Sequence, residues 1–115
     1  MPPRYIVSDP AKADIGDILA VSEADFGLRA RQRYERLIVA AFEYVADAPT
    51  GPLTRDRSDL GRGVRSFHLR HGGRRAGSDR VSHPVHIVYY RIVDNGVVLV
   101  GRVLHDRSDP ALHMR

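Results

Sequence analysis

The chain contains no cysteine, and Lys12 is the only lysine among its eighteen basic residues. Without cysteine there are no disulfides and no cysteine-ligated zinc sites, and a reducing cytoplasm is the expected setting. No apolar run approaches the length of a membrane span. The start, Met1-Pro2-Pro3-Arg4-Tyr5, has no apolar segment behind its charge, so no secretion signal is expected. No internal repeat is visible. His68, His71, His83 and His86 lack a metal-ligand arrangement, and the spacing predicts His68 and His71 on opposite faces of a strand end. Neither a metal nor a cofactor is expected.

What is present fits one domain spanning residues 1–115. Hydrophobic residues make up 43% and charged residues 28%, a balance that reads as globular rather than disordered. The net charge is +4, and nearly all the positive charge is arginine. Arginine's planar fork suits carboxylates and phosphates, so an anionic partner is expected, either nucleic acid or an acidic protein segment. A GC-rich genome would give the same arginine excess without any such partner.

Tyr5-Ile6-Val7 is a short β-prone run. Asp9-Pro10 reads as an N-cap with proline at the first helical position. Ile15, Ile18, Leu19 and Phe26 then fall on one helical stripe, which Gly27 breaks. Tyr34, Leu37, Ile38, Ala41, Phe42 and Val45 form a second stripe, ended at Ala48-Pro49. Two amphipathic helices joined at one glycine should fold back on each other, with the two stripes facing the core. Glu23, Asp25, Arg29, Arg31, Arg33, Glu35 and Arg36 should form the wet face, with Arg31–Glu35 as a helical pair.

Residues 50–62 read as a charged loop, and Val64–Arg70 as a strand with Arg65, Phe67 and Leu69 on one face. Residues 71–80 read as a flexible basic insert, whose Arg74, Arg75 and Arg80 would attract polyanions. The most informative stretch follows. Two apolar runs, 86–93 and 97–105, flank Asp94-Asn95-Gly96, and Asn-Gly is the strongest short-range hairpin signal because a type I′ turn needs positive φ at both positions. The tail from Asp106 is polar. The resulting order is β-α-α-β-β-β, an α+β fold with a helical hairpin on a mostly antiparallel sheet.

Four strings in that order resemble the ParE/RelE superfamily of type II toxin–antitoxin toxins. They are Ser8-Asp9-Pro10-Ala11-Lys12-Ala13-Asp14-Ile15, Gly63-Val64-Arg65-Ser66-Phe67, His86-Ile87-Val88-Tyr89-Tyr90-Arg91 and Arg102-Val103-Leu104-His105-Asp106-Arg107-Ser108-Asp109. The last is most similar to the ParE branch. Residues 72–82 look longer than the family's usual hairpin loop. The resemblance implies a plasmid-stabilisation type of module, in which a small antitoxin with an acidic C-terminal segment holds the toxin inactive in a hetero-oligomer. It implies DNA gyrase as target in the ParE branch, and cleavage of mRNA on the ribosome in the RelE branch.

Chemistry separates the branches. Cleaving RNA by 2′-hydroxyl attack needs a base, charge stabilisation and an acid. Here Arg65, Arg102, His105 and His113 are the candidates. Against them stand Asp106, whose carboxylate would repel a scissile phosphate, the absence of a lysine cluster, and the absence of an aromatic after His105 to stack on a base. The binding reading is preferred, with no catalytic set assigned, and Arg65, Arg91, Arg102, His105 and Arg107 are its candidate partner contacts. Each has a structural alternative. Arg65 could pair with Asp14 or Asp17, Arg91 with Asp94, Arg102 with an internal carboxylate, and His105 could cap a strand end. A relative that has lost toxicity and only binds is a third reading.

Overall fold

A computed structural model describes residues 4–73 and 81–114. The elements are β1 (Tyr5–Val7), α1 (Asp9–Phe26), α2 (Leu28–Asp47), β2 (Arg55–Asp56), β3 (Arg65–His68), β4 (His86–Ile92), β5 (Val98–His105) and α3 (Pro110–His113). The strands form one sheet in the order β1-β5-β4-β3-β2. β1 runs parallel to β5, and the other neighbouring pairs are antiparallel. The fold is therefore the α+β arrangement expected, with one more strand than the sequence indicated. β2 lies inside the stretch read as a charged loop, followed by a 3-10 turn at Ser58–Leu60.

α1 is capped by Ser8 rather than Asp9. The Ser8 hydroxyl accepts from Ala11 N–H at 3.2 Å and donates to Gly101 O at 2.8 Å, so one side chain caps the helix and ties it to β5. Asp9 instead supplies negative charge to the first turn, with Pro10 beside it. Gly27 has φ 92° and ψ 175°, a region open to glycine, and turns the chain directly into α2. The six apolar residues of the second stripe are all buried. Phe26 is not core as the spacing predicted. It is 77% exposed at the hairpin tip, as the last residue of α1. Arg31 pairs with Glu23 of α1 at 3.6 Å, not with Glu35, so this ion pair crosses the hairpin.

The main core lies between the hairpin and one face of the sheet, where Leu37, Ile38, Ala41, Phe42 and Val45 meet Phe67, Val88, Tyr90, Val98, Val100 and Val103. The alternation of β5 is broken by a bulge. Tyr89 opposes Arg102 while Tyr90 opposes Val100, leaving Gly101 as the extra residue. Without it Val103 would leave the face shared by Val98 and Val100. With it, Val103 stays in the core and Arg102 falls to the other face beside Tyr89. That second face carries a small cluster of Val64, Tyr89 and Leu104, flanked by Leu60, Ile87 and Met114.

The strand read as Val64–Arg70 is shorter, because Leu69–Gly72 winds into a 3-10 turn. Asn95 and Gly96 have φ of 60° and 75°, which gives the tight β4–β5 turn its positive-φ pair. The polar tail contains α3, capped by Asp109 accepting from Ala111 N–H at 3.0 Å. Arg74, Arg75 and Arg80 of the basic insert lie outside the described residues.

Candidate functional site

Arg102 is the most constrained cation. Its Nε donates to Asp14 Oδ2 and its Nη2 to Asp14 Oδ1, both at 2.8 Å, while Nη1 donates to His113 O at 2.7 Å. Asp14 Oδ2 also accepts from Val103 N–H at 3.0 Å. One carboxylate on α1 thus satisfies the guanidinium and a β5 amide beyond the reach of β1. The hydrogen bonds that Arg102 donates to Asp14 raise its pKa further and keep its charge fixed. Of the two fates open to Arg102 in the sequence, the internal carboxylate is the one seen.

Arg65 does not meet Asp14 or Asp17. It lies opposite Tyr90 in the β3–β4 ladder, and its Nη2 donates to the Thr54 hydroxyl at 2.8 Å. Its Nε is buried without a partner. Arg91 is exposed, and its guanidinium lies against Gly61 rather than pairing with Asp94. Arg107 is exposed in the turn after β5, where its N–H donates to His105 Nδ1 at 3.0 Å. His105 therefore caps the end of its strand while its ring stands 5.5 Å from that of His86, its partner across the ladder.

The four residues considered for RNA cleavage do not converge. Arg65 shares the helix-covered side with Tyr90, and Arg102 lies on the other side with Tyr89. His105 opposes His86, whose ring meets Tyr34 of α2. Only Arg102 and His113 touch, through a backbone carbonyl. A cavity of about 270 Å³ on the second face is lined by Tyr89, Arg91, Leu99, Arg102, His113 and Met114, but its central cation is already neutralised by Asp14.

The larger concavity lies elsewhere. A groove of about 760 Å³ runs from the turn end of the helical hairpin to the segment before β4. Its apolar walls come from Ile18 and Val21 of α1, from Phe26 and Ala30 at the hairpin tip, and from Val81 and Val85. Val21 is 60% exposed, so both it and Phe26 are large apolar groups that the chain leaves open. The polar lining is mostly hydrogen-bonding, from Ser22, Tyr34, Ser82, His83, His86 and His105, with Arg33 as its guanidinium and Asp17 as its carboxylate. Tyr34 Oη and His86 Nδ1 share a hydrogen bond of 2.5 Å, and Tyr34 Oη also accepts from Val85 N–H at 3.3 Å. Burial and the facing His105 push the His86 pKa down to about 4, and burial raises that of Tyr34.

The β5 end is tied down separately. His68 Nδ1 accepts from Arg70 N–H at 3.1 Å, so its proton sits on Nε2, which donates to Asp106 Oδ2 at 3.0 Å. That bond lowers the Asp106 pKa. His71 packs on Phe67, on the opposite side of the strand from His68. Among the described residues no group of three or more histidines and acidic residues could hold a metal.

A family model described as the ParE toxin of type II toxin–antitoxin systems matches residues 5–110. The chain belongs to the ParE toxin family. It is 33% identical over 111 residues to Toxin ParE1 of Caulobacter vibrioides, covering 96% of each chain. Within this ParE fold, the groove and Phe26 went unread as a site, because the helical spacing of Phe26 is the spacing of a core residue. Tyr34 and Asp14 likewise look like an ordinary core aromatic and an ordinary helix acid, since their partners lie 52 and 88 residues away.

Proposed function

We propose that this chain, residues 1–115 as one domain, is a ParE-type toxin that acts in the cytoplasm by binding DNA gyrase, and that a cognate antitoxin neutralises it. One observation carries the binding reading. An open, mostly apolar groove of about 760 Å³ carries Arg33 and several hydrogen-bonding side chains, while the candidate catalytic residues lie on different faces. A groove of that kind suits an apolar peptide face flanked by acidic residues, the character expected of the antitoxin's C-terminal segment. Poisoning a target by binding needs no acid, no base and no phosphate clamp. The arginine most suggestive of a phosphate clamp is locked on Asp14.

The test adds purified protein to a gyrase supercoiling reaction and, in parallel, to a translating extract read by primer extension. Loss of supercoiling with intact mRNA is expected. Codon-phased cleavage with supercoiling untouched would overturn the proposal in favour of a ribosome-dependent endonuclease. Silence in both assays would place the chain among relatives that only bind.

A further inference from the structure

The floor of the groove has a fixed hydrogen-bonding polarity. The Tyr34 hydroxyl proton has one acceptor among the described residues, His86 Nδ1. A neutral His86 ring therefore carries its proton on Nε2. That nitrogen has no partner among the described residues and is not sealed from solvent. His105, directly across the β4–β5 ladder, is in the same state, because Nδ1 accepts from Arg107 N–H and the proton is left on Nε2. Two imidazole N–H donors thus stand side by side in an apolar groove, with the Arg33 guanidinium in the same lining.

The low His86 pKa keeps that ring neutral, a donor rather than a cation, near pH 7. The charged and titratable groups facing it are Asp14 and Asp17 from α1, Arg33 and Tyr34 from α2, His68 from β3, His83 from the segment before β4, and His105 with Asp106 from the end of β5. Asp106 is engaged by His68, and Asp14 by Arg102. The floor therefore offers donors with few acceptors of its own. A purely apolar partner would strip water from these N–H groups and leave them unpaired, whereas a carboxylate would satisfy them.

We propose that His86 and His105 form a paired donor seat, backed by Arg33, for one carboxylate set within the apolar face of the antitoxin segment. The proposal rests on the reading that this groove is the antitoxin's dock.

Two probes of matched length separate the seat from the groove. The full chain is titrated with sodium hexanoate and, separately, with hexan-1-ol, while NMR follows the side-chain methyls of Ile18, Val21 and Val85 and the ring nitrogens of His86 and His105. Both probes should move the methyls. Only hexanoate should move the two Nε2 signals, binding roughly tenfold tighter than the alcohol. His105→Gln and Arg33→Gln, both at solvent-reached positions, should weaken hexanoate and leave hexanol unchanged. Equal affinity for the two probes, or still Nε2 signals under hexanoate, overturns the seat and leaves the groove standing. Methyl signals that respond to neither probe overturn the seat and the groove together.

Discussion

Asp14 illustrates how much one side chain can hold. It closes a bidentate pair with Arg102, caps the Val103 amide, and through Arg102 reaches the carbonyl of His113 in the tail. Asp14→Ala should therefore cost about 2–3 kcal/mol, since a partly buried guanidinium and a buried amide both lose their acceptor. Urea unfolding measures this, and a loss under about 0.5 kcal/mol would mean the pair is idle. A second residue-scale expectation concerns acid. His86 is held neutral in the fold, so between pH 6.5 and about 4 the unfolded chain binds the additional proton. Stability should be complete above that window and fall as pH drops through it. Burial lowers the His71 pKa as well, so His71 adds a smaller slope of the same sign. His86→Gln should flatten most of the loss in thermal unfolding followed against pH, and an unchanged slope would contradict the assignment. Sequence showed that Arg102 needed a partner, because a cation on an apolar central strand demands one. It could not show which, because a pairing over 88 residues leaves no local pattern.

At the scale of elements, the helical hairpin carries both the legible and the illegible parts of the fold. α2 was readable because six apolar residues repeat at helical spacing and all six reach the core. Phe26 followed the same arithmetic and failed, because helical spacing says which face a residue is on and not whether anything covers it. β2 escaped notice because two residues form a strand only when β3 pairs with them. The bulge at Gly101 escaped because strict alternation is the default for any strand. The hairpin also departs from ordinary helix chemistry. α2 starts without a side-chain cap and with no acidic residue in its first turn, where Arg29 instead meets the positive end of the helix dipole. Arg29→Glu should stabilise the isolated chain by about 0.3–1 kcal/mol, read by chemical denaturation, and a destabilisation would mean the arginine has a structural partner. Gly27→Ala should cost about 1–3 kcal/mol, because its backbone lies where side chains are strained. No change in melting temperature would show that the turn relaxes.

Across the whole molecule, apolar surface is covered on one side and left open on the other. The sheet's second face is partly covered by the chain itself, with Leu60 and Met114 packed against it and the Arg57 guanidinium 5.9 Å from the Tyr89 ring centroid. The groove on the hairpin side is not closed in this way, and it keeps Phe26 and Val21 open beside Arg33 and the histidines. A net charge of +4 should speed the approach of an acidic antitoxin, so its association rate should fall steeply between about 50 and about 500 mM salt while dissociation changes little. The proposal that the groove is the dock is tested most directly by calorimetric titration of the cognate antitoxin into wild-type protein and into Phe26→Glu. Phe26 is too exposed for the substitution to harm the fold. The account expects unchanged stability with affinity weakened about tenfold or more, the scale of one aromatic side chain left unburied. Antitoxin binding as tight to the variant as to the wild type would contradict it.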